Sequence, residues 1–226
     1  MRREMIAATG NPEKMVEIRQ ILASTDIDLI TMKDAGIDIE IIENGSTFEE
    51  NALLKARAVA RESGRMAIAD DSGLVVDAMG GGPGIHSARW MGHDTSYDIK
   101  NREIIRLVDE YCAKEEDGRE RADAPKHPGC APDGTPGPLR SARFVCAVAV
   151  VWPDGRERTA TGVLEGRINT KMCGTNGFGY DPIFFLPEYG MTSGQIPRKE
   201  KNRISHRGQA FRKIREILDE EGCCSQ

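Results

Sequence analysis

Two adjacent carboxylates, Asp70 and Asp71, stand where the apolar run Met66-Ala67-Ile68-Ala69 meets Ser72-Gly73. Carboxylates so placed can ligate a hard cation or accept a proton from a water. Side chains alternate along a strand, so the pair could line one pocket only if the chain turned at Ser72-Gly73. The sequence predicts that turn, with one strand ending at Ala69 and another beginning at Leu74. The plain alternative is a solvated strand end or a helix cap. Glu43, just ahead of Gly45-Ser46-Thr47, is a third acid that could converge on them.

Three other segments suit a nucleotide. Ala8-Thr9-Gly10-Asn11-Pro12-Glu13-Lys14 places a hydroxyl, a glycine turn, a helix N-terminus and a lysine close together. Free backbone N–H groups and the positive end of the helix dipole would meet a phosphate there, although the G-K-[ST] ending of a Walker loop is missing and an ordinary capped helix explains the residues too. In Lys201-Asn202-Arg203-Ile204-Ser205-His206-Arg207-Gly208, cations beside a helix start oppose the dipole, so either an anion held before them or a solvated basic turn explains the pattern. Arg89, after Ser87-Ala88, is a further cation. The loop 174–182 carries Phe178 and Tyr180, suited to stack on a heterocycle, and Asp181, suited to accept from its edge; the same aromatics could instead plug a core. A phosphate site beside an acid cluster suggests metal-assisted attack on phosphorus, with Asp71 orienting or deprotonating the water.

Local signals predict the elements that carry these groups. Residues 5–9 read as a strand, followed by a helix capped by Asn11 with Pro12 at its first position. Ser46-Thr47-Phe48-Glu49-Glu50 offers a capping box in two registers, opening a helix to about Ser63 before Gly64, on which Asn51 and Lys55 share a face. A helix over about 97–112 is expected to bury Ile104, Leu107, Val108 and Tyr111. Residues 144–152 and 156–164 read as a hairpin, 183–186 as a strand, and about 205–221 as a helix with Ala210, Phe211, Ile214, Ile217 and Leu218 on one face. From Lys114 to Arg140 periodicity is lost; residues 125–138 hold five of the eleven prolines and three glycines, so 114–140 is expected to be a mobile loop.

Composition narrows the class. The 226 residues predict a single domain, 1–226, with room for two lobes and a flexible tail at 222–226. A net charge of −5 argues against a broad nucleic-acid or membrane-binding face. No apolar run is long enough to span a bilayer, and the short run after Arg2-Arg3 is no export signal; a soluble, unexported, cytoplasmic protein is expected. Six cysteines without a C-x-x-C pair read as reduced thiols, and the vicinal Cys223-Cys224 as incidental.

Taken together, six segments in order resemble the inosine triphosphate pyrophosphatase family. They are Ala8-Thr9-Gly10-Asn11 with Lys14; Thr47-Phe48-Glu49-Glu50-Asn51-Ala52 with Lys55; Ala69-Asp70-Asp71-Ser72-Gly73-Leu74; Gly81-Gly82-Pro83-Gly84 with Ser87-Ala88-Arg89; Gly177-Phe178-Gly179-Tyr180-Asp181-Pro182; and Ser205-His206-Arg207-Gly208. The resemblance implies an α/β fold with a long, twisted, mixed central sheet flanked by helices, two lobes around a nucleotide cleft, and a homodimer. It implies Mg²⁺-dependent hydrolysis of inosine, deoxyinosine and xanthosine triphosphates to the monophosphate and pyrophosphate. By position, Thr9, Gly10, Asn11, Pro12, Glu13, Lys14 and Lys55 would contact the phosphates, Glu43 and Asp71 the metal, and Asp71 would be the base. Ser72, Arg89, Phe178, Gly179, Tyr180, Asp181, Lys201, His206 and Arg207 would contact the rest of the nucleotide.

Three residues or tracts depart from the family pattern. Gln195 stands where a Glu is usual, so Lys201 is expected to be held more loosely; the 114–140 tract is longer and richer in proline; and His86 takes a position that is often aromatic. Two other readings compete: a Maf-like pyrophosphatase for other nucleotides, opposed by the Ser-His-Arg-Gly and Phe-Gly-Tyr-Asp segments, and a nucleotide sensor that does not turn over, hinted at by Gln195 and opposed by the intact acids.

Overall fold

The computed structural model describes residues 3–23, 26–116, 127–131 and 133–223; residues 117–126 and 132 of the expected loop and 224–226 of the expected tail, Cys224 among them, lie outside the described residues. The strands are β1 (Arg3–Ala7), β2 (Ile27–Thr31), β3 (Ala67–Val76), β4 (Ser141–Val151), β5 (Glu157–Ile168), β6 (Phe184–Leu186) and β7 (Met191–Thr192). The helices are α1 (Pro12–Ile21), α2 (Phe48–Ser63), α3 (Tyr97–Glu116), α4 (Arg198–Ile204) and α5 (His206–Cys223). Among the described residues these seven strands form one sheet ordered β2-β1-β3-β4-β5-β6-β7. It is mixed, as expected: β1 runs parallel to β2 and β3, and β6 antiparallel to β5 and β7.

The chain divides into two compact units, one of residues 1–72, 145–163 and 202–226, the other of residues 73–144 and 164–201. In the first, alternation along the strands builds two apolar layers. Met5, Ala7, Ile68, Cys146 and Val148 pack with Met15 and Ile18 of α1 and Phe211 and Ile214 of α5. Ile6, Ala8, Ala67, Ala69 and Ala149 pack with Ala52, Ala56 and Val59 of α2. Burying a residue such as Phe211 or Ile214 contributes about 1.5–3 kcal/mol before conformational entropy is charged against it.

The helix caps follow the sequence. Asn11 Oδ1 accepts from the N–H groups of Glu13 and Lys14, with Pro12 opening α1. Thr47, rather than Ser46, caps α2 by accepting from Glu50 N, and the Glu50 carboxylate returns to Ser46 N and Oγ at 2.7 Å each. Gly64 ends α2 at φ 63°, a left-handed conformation that costs glycine little.

In the second unit the α3 register differs from expectation. Lys100, Asn101, Ile104, Val108 and Cys112 are buried, and Tyr111 is exposed. Part of the 114–140 tract is described. Residues 114–116 continue α3, Gly137 N donates to Gly129 O at 2.7 Å, and Cys130 is buried. The fully buried Arg140 guanidinium donates to Asp109 Oδ1 (2.6 Å), Pro128 O (2.8 Å) and Ile168 O (2.7 Å), which ties this tract to α3 and to the end of β5. A buried cation needs such partners, and they come from positions distant in sequence. Among the described residues no helix is long and apolar enough to cross a membrane.

Candidate active site

The strand predicted to break at Ser72-Gly73 runs unbroken through the acidic pair from Ala67 to Val76. Asp70 and Asp71 therefore point to opposite faces of the sheet and serve separate groups of partners. Alternation puts Asp70 and Ser72 on the face of Ile68, toward α1 and α5, and Asp71 on the face of Ala69, toward α2.

On the α1/α5 face, Asp70 is 1% exposed and its Oδ2 lies 2.9 Å from Lys14 Nζ and 3.4 Å from Arg207 Nε. Burial alone would raise this carboxyl; Lys14, Arg207 and Lys55 override it and hold Asp70 well below the usual carboxylate range. Arg207 also pairs with the buried Glu17 and donates to Ser72 Oγ at 3.0 Å. Asp70 Oδ1 is buried without a hydrogen-bond partner among the described residues.

On the α2 face, Asp71 Oδ2 accepts from Asn51 Nδ2 and its Oδ1 from Lys55 Nζ, each at 3.2 Å. Asn51 and Lys55 sit one turn apart on α2, so both reach the same carboxylate. Lys55 Nζ also lies 2.7 Å from Glu43 Oε1, and so joins Asp71 to a second carboxylate. Burial raises Asp71; Lys55 and Lys14 oppose the rise and Glu43 adds to it. Burial lowers the Lys55 ammonium, but Asp71, Asp70 and Glu43 together leave it above its ordinary value. The result is one carboxylate firmly ionised and, on the other face, a neighbour more ready to take a proton.

At the start of α1 the expected anion cradle is partly spent. The Glu13 and Lys14 N–H groups bond to Asn11 Oδ1, Pro12 has none, and Thr9 Oγ1 accepts from Asn11 N at 3.2 Å. The dipole end, the Lys14 charge and the open space around Gly10 remain.

For the cations 201–207 the residues leave open an anion held before them or a solvated basic turn. Lys201 and Arg207 are not solvated: both are buried and paired with carboxylates of this chain, since a desolvated cation needs a counter-charge. Lys201 Nζ lies 2.6 Å from Asp181 Oδ2. His206 is buried at the start of α5, and Ser205 Oγ accepts from Gly208 N at 3.0 Å. A Cβ at Gly208 would collide with Asn202 O, which accounts for the glycine in that segment.

The glycine-rich loop lies in the second unit. Tyr180, which by residue type could stack on a heterocycle or plug a core, and Asp181 are buried and engaged. Asp181 accepts from Phe178 N and Ser193 Oγ at 2.8 Å as well as from Lys201. Tyr180 packs edge-on to Tyr97 with ring centroids 5.2 Å apart, donates its hydroxyl to Ser87 O at 2.8 Å, and has its ionisation pushed up by burial. Phe178 and Gly179 are half-buried, and Lys201 Nζ lies 5.2 Å from the Phe178 ring centre. Gly177 has φ 77°, and a Cβ there would strike Asp181 and Lys201.

Arg89 is half-buried and His86 is exposed, so nothing needs an aromatic ring at position 86. Gln195 Oε1 accepts from Thr192 N (3.0 Å) and Thr192 Oγ1 (3.2 Å), a bond an amide oxygen makes as readily as a carboxylate. Lys201 is 5% exposed and paired, not loosened. Glu17, Asn51 and Ser193 were not assigned to the site from sequence. Glu17 lies one turn beyond Lys14 on α1, and that spacing was the available signal; Ser193 offered none. Among the described residues no group of three or more His, Cys, Asp or Glu is gathered as a metal-binding set.

Fold and site together define a mixed-sheet α/β protein with carboxylate–cation centres on both faces of its third strand. A family model described as the Ham1 family matches residues 5–124 and 133–217. A protein of Listeria monocytogenes named dITP/XTP pyrophosphatase is 43% identical over 220 residues, covering 96% of this chain and 95% of its own. One of the same name from Bacillus licheniformis is 39% identical, with 96% and 99% covered. The solved HAM1 protein of Coxiella burnetii superposes with a TM-score of 0.78 at 32% identity, covering 96% of this chain and 99% of its own. The Staphylococcus aureus Ham1 protein does so with 0.73, also at 32%, covering 97% and 100%. The chain belongs to the Ham1 family.

Proposed function

We propose that this protein hydrolyses non-standard purine nucleoside triphosphates, ITP, dITP and XTP, to the monophosphate and pyrophosphate, and so clears them from the nucleotide pool. The observation that carries the reading is the Asn51–Asp71–Lys55–Glu43 cluster, a raised carboxylate beside a second acid and a fixed cation. The relatives' shared name, dITP/XTP pyrophosphatase, supports the substrate class.

Glu43 and Asp71 fit Mg²⁺ by chemistry: both offer hard oxygens, both already converge on one ammonium, and two carboxylates leave the remaining positions for waters and substrate phosphates. When bound, Mg²⁺ would offset charge developing on the phosphates. Asp71 orients the attacking water and takes its proton. Asn51 and Lys55 fix the orientation of that carboxylate, and Lys55 with Lys14 supplies positive charge for the triphosphate. Asp70 and Arg207 hold Lys14 and Ser72 in place.

Phe178, Lys201, His206 and Arg89 are assigned to the nucleoside end, with Asp181 and Tyr180 shaping the loop. A 6-oxo purine accepts a hydrogen bond where adenine donates one. A donor aimed at that position is left unpaired by adenine, a larger penalty than a lost methylene contact. We further propose a homodimer, which light scattering on the purified protein tests.

The test of the function is direct. The purified protein is incubated with Mg²⁺ and ITP, XTP, GTP or ATP, and the products are identified. Pyrophosphate from ITP and XTP, with ATP much slower, is expected. Orthophosphate as the product, or equal rates on ATP, would overturn the reading.

A further inference from the structure

We propose that Lys100 and Asn101, neighbours on α3, are positioning residues that lock the loop bearing Arg89 to the loop bearing Phe178 and thereby set affinity for the nucleoside end of the substrate. The substrate-affinity part rests on the function proposed above; the loop-locking part does not.

Both side chains are buried, at 1% and 2% exposed, in a helical turn whose other members Asp98, Ile99 and Arg102 are exposed. Each carries a cost that an apolar residue would avoid. Lys100 is desolvated, and among the described residues no carboxylate pairs with it. Asn101 Oδ1 is buried with no hydrogen-bond partner among the described residues. What the two side chains gain is a pair of backbone carbonyls: Lys100 Nζ donates to Ala88 O at 2.8 Å, and Asn101 Nδ2 to Gly179 O at 3.1 Å. Ala88 precedes Arg89, and Gly179 follows Phe178. Consecutive residues of one rigid helix thus hold the backbone beside each assigned side chain.

Three further contacts join the same pieces. Tyr180 Oη donates to Ser87 O at 2.8 Å, which bonds the loops directly to each other. Tyr97, one turn before Lys100 and Asn101, stacks edge-on against Tyr180, and Lys100 Nζ lies 5.1 Å from its ring centre. Gly179 has φ 67°, and a Cβ there would lie 3.4 Å from the Tyr97 ring, so the loop rests against α3. Neither Lys100 nor Asn101 is placed to touch a substrate. Their effect is to remove the entropy cost of ordering the two loops on binding.

The experiment compares the full-length protein with Asn101→Leu, Lys100→Met and the milder Tyr180→Phe by amide hydrogen exchange and by steady-state kinetics on ITP. Faster exchange in residues 86–90 and 177–181, with residues 48–63 unchanged, is expected, together with KM raised about five- to twentyfold and kcat within about twofold. Lys100→Arg, which keeps a donor, should recover most of the KM. Unchanged exchange in both loops overturns the proposal, as does a fall in kcat at constant KM. If the wild type does not hydrolyse ITP, the assigned function fails while the exchange result still decides whether the loops are locked. If Asn101→Leu does not fold, Tyr180→Phe decides with the same readouts.

Discussion

Asp70 and Asp71 face opposite sides of β3, the first 2.9 Å from Lys14 Nζ and the second 3.2 Å from Lys55 Nζ. The strand separates the acid that holds the structure from the acid proposed to do the chemistry. Their substitutions should therefore act in different assays.

Asp70→Asn leaves Lys14 and Arg207 without their shared counter-charge, and breaking such a buried pair typically costs about 3–5 kcal/mol. Urea denaturation should show that loss, with kcat falling only as far as Lys14 moves. A wild-type denaturation midpoint in Asp70→Asn would refute the anchoring role.

Asp71→Asn should lower kcat by about a hundredfold or more with a smaller change in KM. The pH dependence that Asp71 contributes to stability has the opposite sign to that of Asp70. Asp71 is raised in the folded protein, so its contribution is fully present below the unfolded pKa and is lost as pH rises through the folded value. Stability of the metal-free protein should therefore fall less between about pH 4 and pH 7 in Asp71→Asn than in wild type, as urea denaturation at the two pH values would show. An equal fall in both proteins would count against a raised Asp71.

The pH dependence of stability follows Asp70 on the acid side. Its folded pKa is depressed, so the stability it contributes is present above the unfolded pKa and is lost as pH falls through the folded value. Acid titration followed by circular dichroism should show wild type losing a contribution below about pH 4 that Asp70→Asn lacks throughout.

Arg140→Ala removes a fully buried guanidinium and strands Asp109 and the carbonyls of Pro128 and Ile168. A loss of about 3–5 kcal/mol in denaturant stability is expected. A change under about 1 kcal/mol would mean that residues 127–140 do not depend on the clamp.

Gln195→Glu should leave kcat and KM for ITP within about twofold, since either side chain presents an acceptor to Thr192 N and the residue is exposed. A tenfold or greater gain in kcat would mean that the amide impairs turnover, as the sensor reading holds.

What depends on neighbours in the chain is legible in the residues alone: the Asn11 cap, a capping box at the start of α2, the Gly64 stop, the hairpin of β4 and β5, and the one-turn spacing that puts Asn51 and Lys55 on one face. Contacts between distant segments set the rest, down to the choice of Thr47 over Ser46 as the cap. Ser72-Gly73 has the local preferences of a turn, yet β3 lies between β1 and β4, and sheet pairing with burial on both faces outweighs those preferences. The same long-range packing chose Lys100 and Asn101 over Tyr111 for the buried side of α3, and supplied Lys201 and Arg207 with carboxylates of their own chain. Periodicity marks which residues can share a face; only the assembled sheet decides what that face meets, because a buried charge is neutralised by whichever partner the fold brings within reach.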